Sequence, residues 1–81
     1  MNIMIAGCGK VGKSIAMRLC DEGHQVTVID IDEHALSAVT NSLDVMGYHG
    51  DCTSIRTLEE AGIKDTDLLI TVTSEIGRAH V

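Results

Sequence analysis

The sequence predicts an α/β domain built on a parallel sheet, and three features point there. Short aliphatic runs alternate with segments of helical spacing. A glycine-rich turn joins the first run to the first helical segment. An acid closes the second run. Strands that alternate with helices at these lengths imply parallel pairing through right-handed crossovers.

The elements follow in order. Asn2 to Ala6 (NIMIA) is a short apolar run bounded by glycine and reads as a buried strand. A turn over Gly7 to Gly12 leads into a helix from about Lys10 to Glu22, with Val11, Ile15 and Leu19 on one stripe. Gly23 ends it. Gln25 to Ile29 (QVTVI) is rich in β-branched residues and reads as the second strand. Asp32 is placed to cap the second helix, whose stripe is Leu36, Val39 and Leu43. Val45 to Tyr48 is a weaker third strand, followed by a loop over Gly50 to Thr53. Thr53 or Ser54 caps a short third helix, with Ile55, Leu58 and Ala61 expected to face inward and Gly62 to end it. Leu68 to Val72 (LLITV) is the clearest strand of the four. The result is a four-stranded parallel sheet in the order 3-2-1-4 with helices on both faces, a partial doubly wound arrangement.

Composition narrows the function. The chain has 81 residues, 44% hydrophobic and 22% charged, with no Pro, Trp or Phe and one Tyr, Tyr48. The core is therefore expected to be aliphatic. The net charge of −6 repels phosphate backbones and anionic lipid over most of the surface, which argues against nucleic-acid binding. Any phosphate held here must be held by backbone dipoles. No apolar run is long enough to cross a bilayer, and the amino terminus lacks the features of a signal peptide, so a cytoplasmic location is expected. Cys8, Cys20 and Cys52 show no metal or redox spacing and read as reduced, mostly buried thiols.

The chemistry concentrates in Gly7-Cys8-Gly9-Lys10-Val11-Gly12, a G-x-G-x-x-G that follows a strand and opens a helix. In that setting it is the fingerprint of a Rossmann dinucleotide site. Gly7 turns the chain out of the strand, Gly9 lets a pyrophosphate approach the backbone, and Gly12 lets the helix pack on the sheet. Free N–H groups at the helix start then face the phosphates. Asp30 lies eighteen residues after Gly12, where a carboxylate accepts hydrogen bonds from the ribose diol. A carboxylate there repels a 2′-phosphate, so NAD(H) is favoured over NADP(H). Lys10 lies within reach of a phosphate, although side chains at this position usually face solvent. Asp51 and Cys52 either border the adenine or serve as a loop acid and a packed thiol. Thr73 either approaches a ribose or phosphate or caps the end of the fourth strand. His24 and His34 read as surface residues near helix ends, and His49 as a loop residue. No nucleophile motif, metal cluster or phosphate-loop lysine is present.

The end of the chain is unusual. Residues 1–75 read as the amino-terminal part of a dinucleotide-binding domain, because a doubly wound sheet needs further strands beyond the fourth. The run EIGRAHV (Glu75 to Val81) resembles the translation of a short sequencing adapter, and residues 76–81 are expected to be a non-native tail.

The segments MNIMIAGCGKVGKSIAMRL, VTVIDID, GDCTSIRTLEEAGI and DLLITVTSE together resemble the TrkA family. Its members are cytoplasmic regulatory subunits of bacterial Trk potassium-uptake systems. Their nucleotide-binding domain is called KTN, or RCK in potassium channels. The loop Gly50-Asp51-Cys52-Thr53 and the segment Leu58 to Ile63 are the more specific parts of the likeness. The resemblance implies a non-enzymatic module that binds NAD(H), ATP or ADP and passes its conformation to a potassium-translocating membrane subunit. It also places the protein at the inner face of the membrane and implies a homo-oligomer in the full-length form. By matching position, Gly7, Gly9 and Gly12 would hold phosphates, Asp30 the ribose, and Asp51 would lie near the base. The alternative is the amino-terminal NAD-binding piece of a dehydrogenase, which begins with the same strand, glycine loop and acid. The Gly50 to Ile63 segment favours the regulatory family.

Overall fold

The structure, a computed structural model, describes residues 1–7, 9–72 and the backbone of 79–80. The elements run β1 (Asn2–Ala6), α1 (Lys10–Asp21), β2 (Gln25–Asp30), α2 (Glu33–Ser42), β3 (Met46–His49), α3 (Ile55–Glu60), a 3-10 turn (Ile63–Asp65), β4 (Leu68–Val72) and β5 (Ala79–His80). The sheet order is β3-β2-β1-β4-β5. The four strands expected from the sequence are mutually parallel and stand in the order 3-2-1-4. A two-residue β5 is added antiparallel to β4, Thr71 opposite His80 and Val72 opposite Ala79. Most of the segment expected to be non-native (76–78 and 81) lies outside the described residues.

Register decides which residues form the core. Ile5 of β1 stands beside Val28 of β2 and Ile70 of β4. Because strand side chains alternate, Ile3, Ile5, Val26, Val28 and Ile70 share one face. That face packs on Ala16 of α1 and on Leu36 and Val39 of α2 in one cluster, with Ile15, Leu19 and Leu43 at its margin. Ile5, Val28, Val39 and Ala16 are fully buried. Burial of Ile5, Val28 and Val39 stabilises the fold by about 1.5–3 kcal/mol each. Truncating Ile5 to Ala would cost about 2–5 kcal/mol, because the cavity adds to the lost transfer energy. The core is aliphatic, as composition requires.

The opposite face carries Met4 and Ile29, both buried. Tyr48, in register with Ile29, shares this face, and its hydroxyl donates to the Glu60 carboxylate at the end of α3. That bond above all, then partial burial and the Glu60 charge, raise the Tyr48 pKa above its ordinary value. Helices therefore cover both faces, as expected.

The caps account for the helix limits. Asp32 Oδ1 accepts the N–H of His34 at 3.0 Å and of Ala35 at 3.4 Å, which starts α2. Ser54, one of the two expected caps, accepts Thr57 N–H at 3.4 Å and starts α3. Gly23 follows α1 with a φ of +87°.

Two expectations need correction. Ile55 does not face inward: it is 72% exposed, and no residue of α3 is fully buried. The half-buried stripe is Ser54, Thr57, Leu58 and Ala61. Thr57 is turned to the sheet because Gly50 offers no Cβ there; one would lie 2.7 Å from Thr57 Cγ2. The cysteines are less buried than expected as well. Cys20 and Cys52 are free and half-buried, with the Cys20 thiol donating to the Asp44 carbonyl at 3.3 Å. Cys8 lies outside the described residues.

Candidate nucleotide-binding site

The carboxyl ends of three adjacent strands meet at one edge of the sheet. Gly7 follows β1, Asp30 ends β2, and Gly50 and Asp51 follow β3. Ligands of open parallel sheets bind outside this edge, where the strand order turns back.

Gly7 is fixed by its neighbours. Its N–H donates to the Ile29 carbonyl at 2.7 Å, and its φ is +98°. A Cβ at Gly7 would stand 2.7 Å from the Val72 carbonyl oxygen. The chain thus leaves β1 in a left-handed conformation, pinched between the ends of β2 and β4.

Gly9 is placed differently. It is the N-cap of α1, with φ −53° and ψ −163°, and carries no side chain to cap the helix. The first intrahelical bond runs from Lys13 N–H to the Gly9 carbonyl at 2.9 Å. The N–H groups of Lys10, Val11 and Gly12 therefore precede any acceptor within the helix. No acidic residue stands in that first turn. The positive end of the helix dipole faces this edge with no protein carboxylate on its own turn. Among the described residues, a Cβ built on Gly9 meets nothing within 4 Å. Lys10 is exposed, Val11 half-buried and Gly12 buried in α1. The bare amides, the open space at Gly9 and the dipole together suit a pyrophosphate.

The two strand-end acids differ. Asp30 is half-buried; its carbonyl accepts Gly50 N–H at 3.1 Å, and its Oδ1 accepts Asp32 N–H at 2.7 Å. Asp51 is exposed, and its Oδ1 accepts both the Thr53 hydroxyl at 2.7 Å and the Thr53 N–H at 2.9 Å. The hydroxyl first, then the N–H, hold the Asp51 carboxyl below its ordinary pKa. Asp51 thus builds its own loop. Cys52 beside it is half-buried. Thr71, one residue before the end of β4, is exposed, and Thr73 lies outside the described residues.

One link was missed from sequence. His49, expected in a loop, is the last residue of β3, and its Nε2 lies 2.9 Å from the Ile31 carbonyl oxygen. It ties the end of β3 to the turn after Asp30. His49 stands in register with Asp30, which only the pairing of β2 with β3 reveals. A groove of about 730 Å³ opens at the other, amino edge of the sheet beside Asn2, His24, Gln25, Asp44 and Asp65, and holds none of the residues nominated above. Among the described residues, no helix is long and apolar enough to cross a membrane.

The chain is matched over residues 3–80 by the family model described as the TrkA-N domain. It is 38% identical over 73 residues to a Trk system potassium uptake protein TrkA of Azorhizobium caulinodans, a match covering 90% of this chain and 16% of that protein. It is 37% identical over 73 residues to a Trk system potassium uptake protein TrkA homolog of Methanothermobacter thermautotrophicus, covering 90% of this chain and 34% of that protein. A Trk system potassium uptake protein TrkA of Halomonas elongata is 36% identical over 74 residues, with 91% and 16% covered. The chain therefore spans between about a sixth and a third of the length of these relatives.

Proposed function

This chain belongs to the TrkA-N family, and on that premise we propose that it is a nucleotide-binding regulatory module of a potassium-uptake system. The observation that carries the reading is that, among the described residues, space is open at Gly9 beside a helix start with no side-chain cap. The amides of Lys10, Val11 and Gly12 donate to pyrophosphate oxygens. Gly9 leaves room for the phosphates, and Asp30 accepts from the ribose hydroxyls. The Asp51–Cys52 loop borders the base. The nucleotide is NAD(H), or ATP or ADP, held for its binding energy and not for reaction.

Regulation then follows from linkage. A nucleotide that binds two conformations unequally shifts their balance by its difference in affinity. In this reading the partner that feels the shift is a potassium-translocating membrane subunit. The names of the relatives support that partner, since they are potassium uptake proteins. The module sits in the cytoplasm, at the inner face of the membrane, and works as a homo-oligomer in the full-length protein.

The test is a thermal-shift panel on the purified protein with NADH, NADPH, ATP and no ligand. A ligand present at a hundred times its Kd and bound to the folded state stabilises by about 2.7 kcal/mol. For a domain of this size that is a rise in Tm of about 10–20 °C. The reading expects a rise with NADH or ATP and a smaller one with NADPH. A cooperative transition unmoved by every nucleotide would remove it.

A further inference from the structure

We propose that Tyr48 and Glu60 are positioning residues of this site: their hydrogen bond holds α3 against β3, and with it the Asp51–Cys52 loop that borders the base. The proposal rests on the nucleotide reading above and gives that loop its anchor.

The chain from Tyr48 to Glu60 is a closed loop. It leaves β3, turns through Gly50 to Ser54, runs along α3 and returns to the sheet, where the Tyr48 hydroxyl donates to Glu60 Oε2. One further contact lies inside it. Thr57 is seated against Gly50, where a Cβ would stand 2.7 Å from Thr57 Cγ2. The bonds from Thr53 to Asp51 Oδ1 and from Thr57 N–H to Ser54 Oγ join near neighbours in sequence, so they set the shape of the turn. They do not set where the turn stands on the sheet.

Apolar burial does little to fix that place. α3 has six residues, none of them fully buried, and a helix this short is not stable by itself. The Tyr48–Glu60 bond ties the last residue of α3 to β3 across twelve residues of chain. An ionised acceptor makes such a bond roughly twice as strong as a neutral one. The raised pKa of Tyr48 has this bond as its largest cause. A loop held in its bound place before the ligand arrives spares the cost of ordering it. Without the bond, fewer molecules have the loop in place, and the apparent affinity falls by the same factor.

The experiment measures Kd for ADP and NADH by calorimetry on the purified protein, on Tyr48→Phe, on Glu60→Ala, on the double variant, and on Glu60→Gln, whose amide oxygen still accepts from the phenol. A hydrogen bond of ordinary net worth corresponds to about three- to ten-fold in an equilibrium constant. Tyr48→Phe and Glu60→Ala should each weaken both nucleotides by that factor. The double variant should bind no worse than either single one, and Glu60→Gln should stay within about two-fold of the parent. Glu60 is exposed, so its two variants should fold even if Tyr48→Phe does not. Both Glu60 variants binding as tightly as the parent, equal losses in Glu60→Ala and Glu60→Gln, or losses that multiply in the double variant overturn the positioning role and leave the nucleotide site standing. A parent that binds neither nucleotide overturns the nucleotide reading and this proposal with it.

Discussion

At the strand end of the glycine turn, Gly7 has a φ of +98°, and a Cβ there would meet a backbone carbonyl at 2.7 Å. At the helix end, Gly9 has a φ of −53°, and a Cβ there meets nothing within 4 Å among the described residues. The first glycine is demanded by the protein's own packing. The second is not: its backbone is open to residues with a side chain, and there is room for one. Among the described residues nothing fills that space or caps those amides, an arrangement that suits a bound phosphate. The two acids differ in burial: each Oδ1 accepts from its own turn, Asp51 from Thr53 and Asp30 from Asp32 N–H, but Asp51 is exposed and Asp30 half-buried.

Substitutions can break this contrast. The largest effect on stability is expected at Gly7→Ala. Left-handed backbone costs a side-chain residue about 1–2 kcal/mol, and the contact with Val72 adds about 1–3 kcal/mol of overpacking. Urea unfolding should show a loss of about 2–5 kcal/mol from the two together. A loss under about 1 kcal/mol would mean that the turn relaxes freely. Next is Asp30→Arg, which should weaken NADH and admit NADPH, read as a reversal of the Kd ratio in titration calorimetry. An unchanged ratio would take Asp30 out of the ribose role. The smallest is Asp51→Asn. The pKa of Asp51 is lowered in the folded state, so its contribution is present above about pH 4 and fades as pH falls through the folded value. Asn removes that dependence, so the variant should lose less stability than the parent on acidification below about pH 4. Because the group is exposed, the difference should be slight, and an equal acid slope would show that the Thr53 contacts do not matter.

Much of this was legible in the sequence because local chemistry and tertiary demand agree. β1 and β4 were bounded correctly by aliphatic runs next to polar residues. The start of α1 followed from the glycine turn, and Asp32 as a cap followed from its place before a helical stripe. Periodicity failed where an element is short. Over the six residues of α3, Ile55 shares a spacing with Leu58 and Ala61, but Thr57 packs in its place because it fits against Gly50. Only the tertiary approach of α3 to β3 decides between those stripes. β3 moved by one residue, to Met46–His49, because its limits are set by pairing with β2. Val45 packs against the core from outside the ladder. The Thr53 bonds to Asp51 had a readable signal, an acid two residues before a threonine, which favours a side-chain turn.

The central claim is that Gly9 is kept bare for a ligand and not for the fold. The direct measurement is Gly9→Val against the parent, with urea unfolding and NADH titration on the same samples. The account predicts unfolding free energies that agree within about 1 kcal/mol, as for a surface change without a clash, and loss of measurable NADH binding in the variant. A variant that binds NADH as tightly as the parent, or that unfolds before any ligand is added, would contradict it.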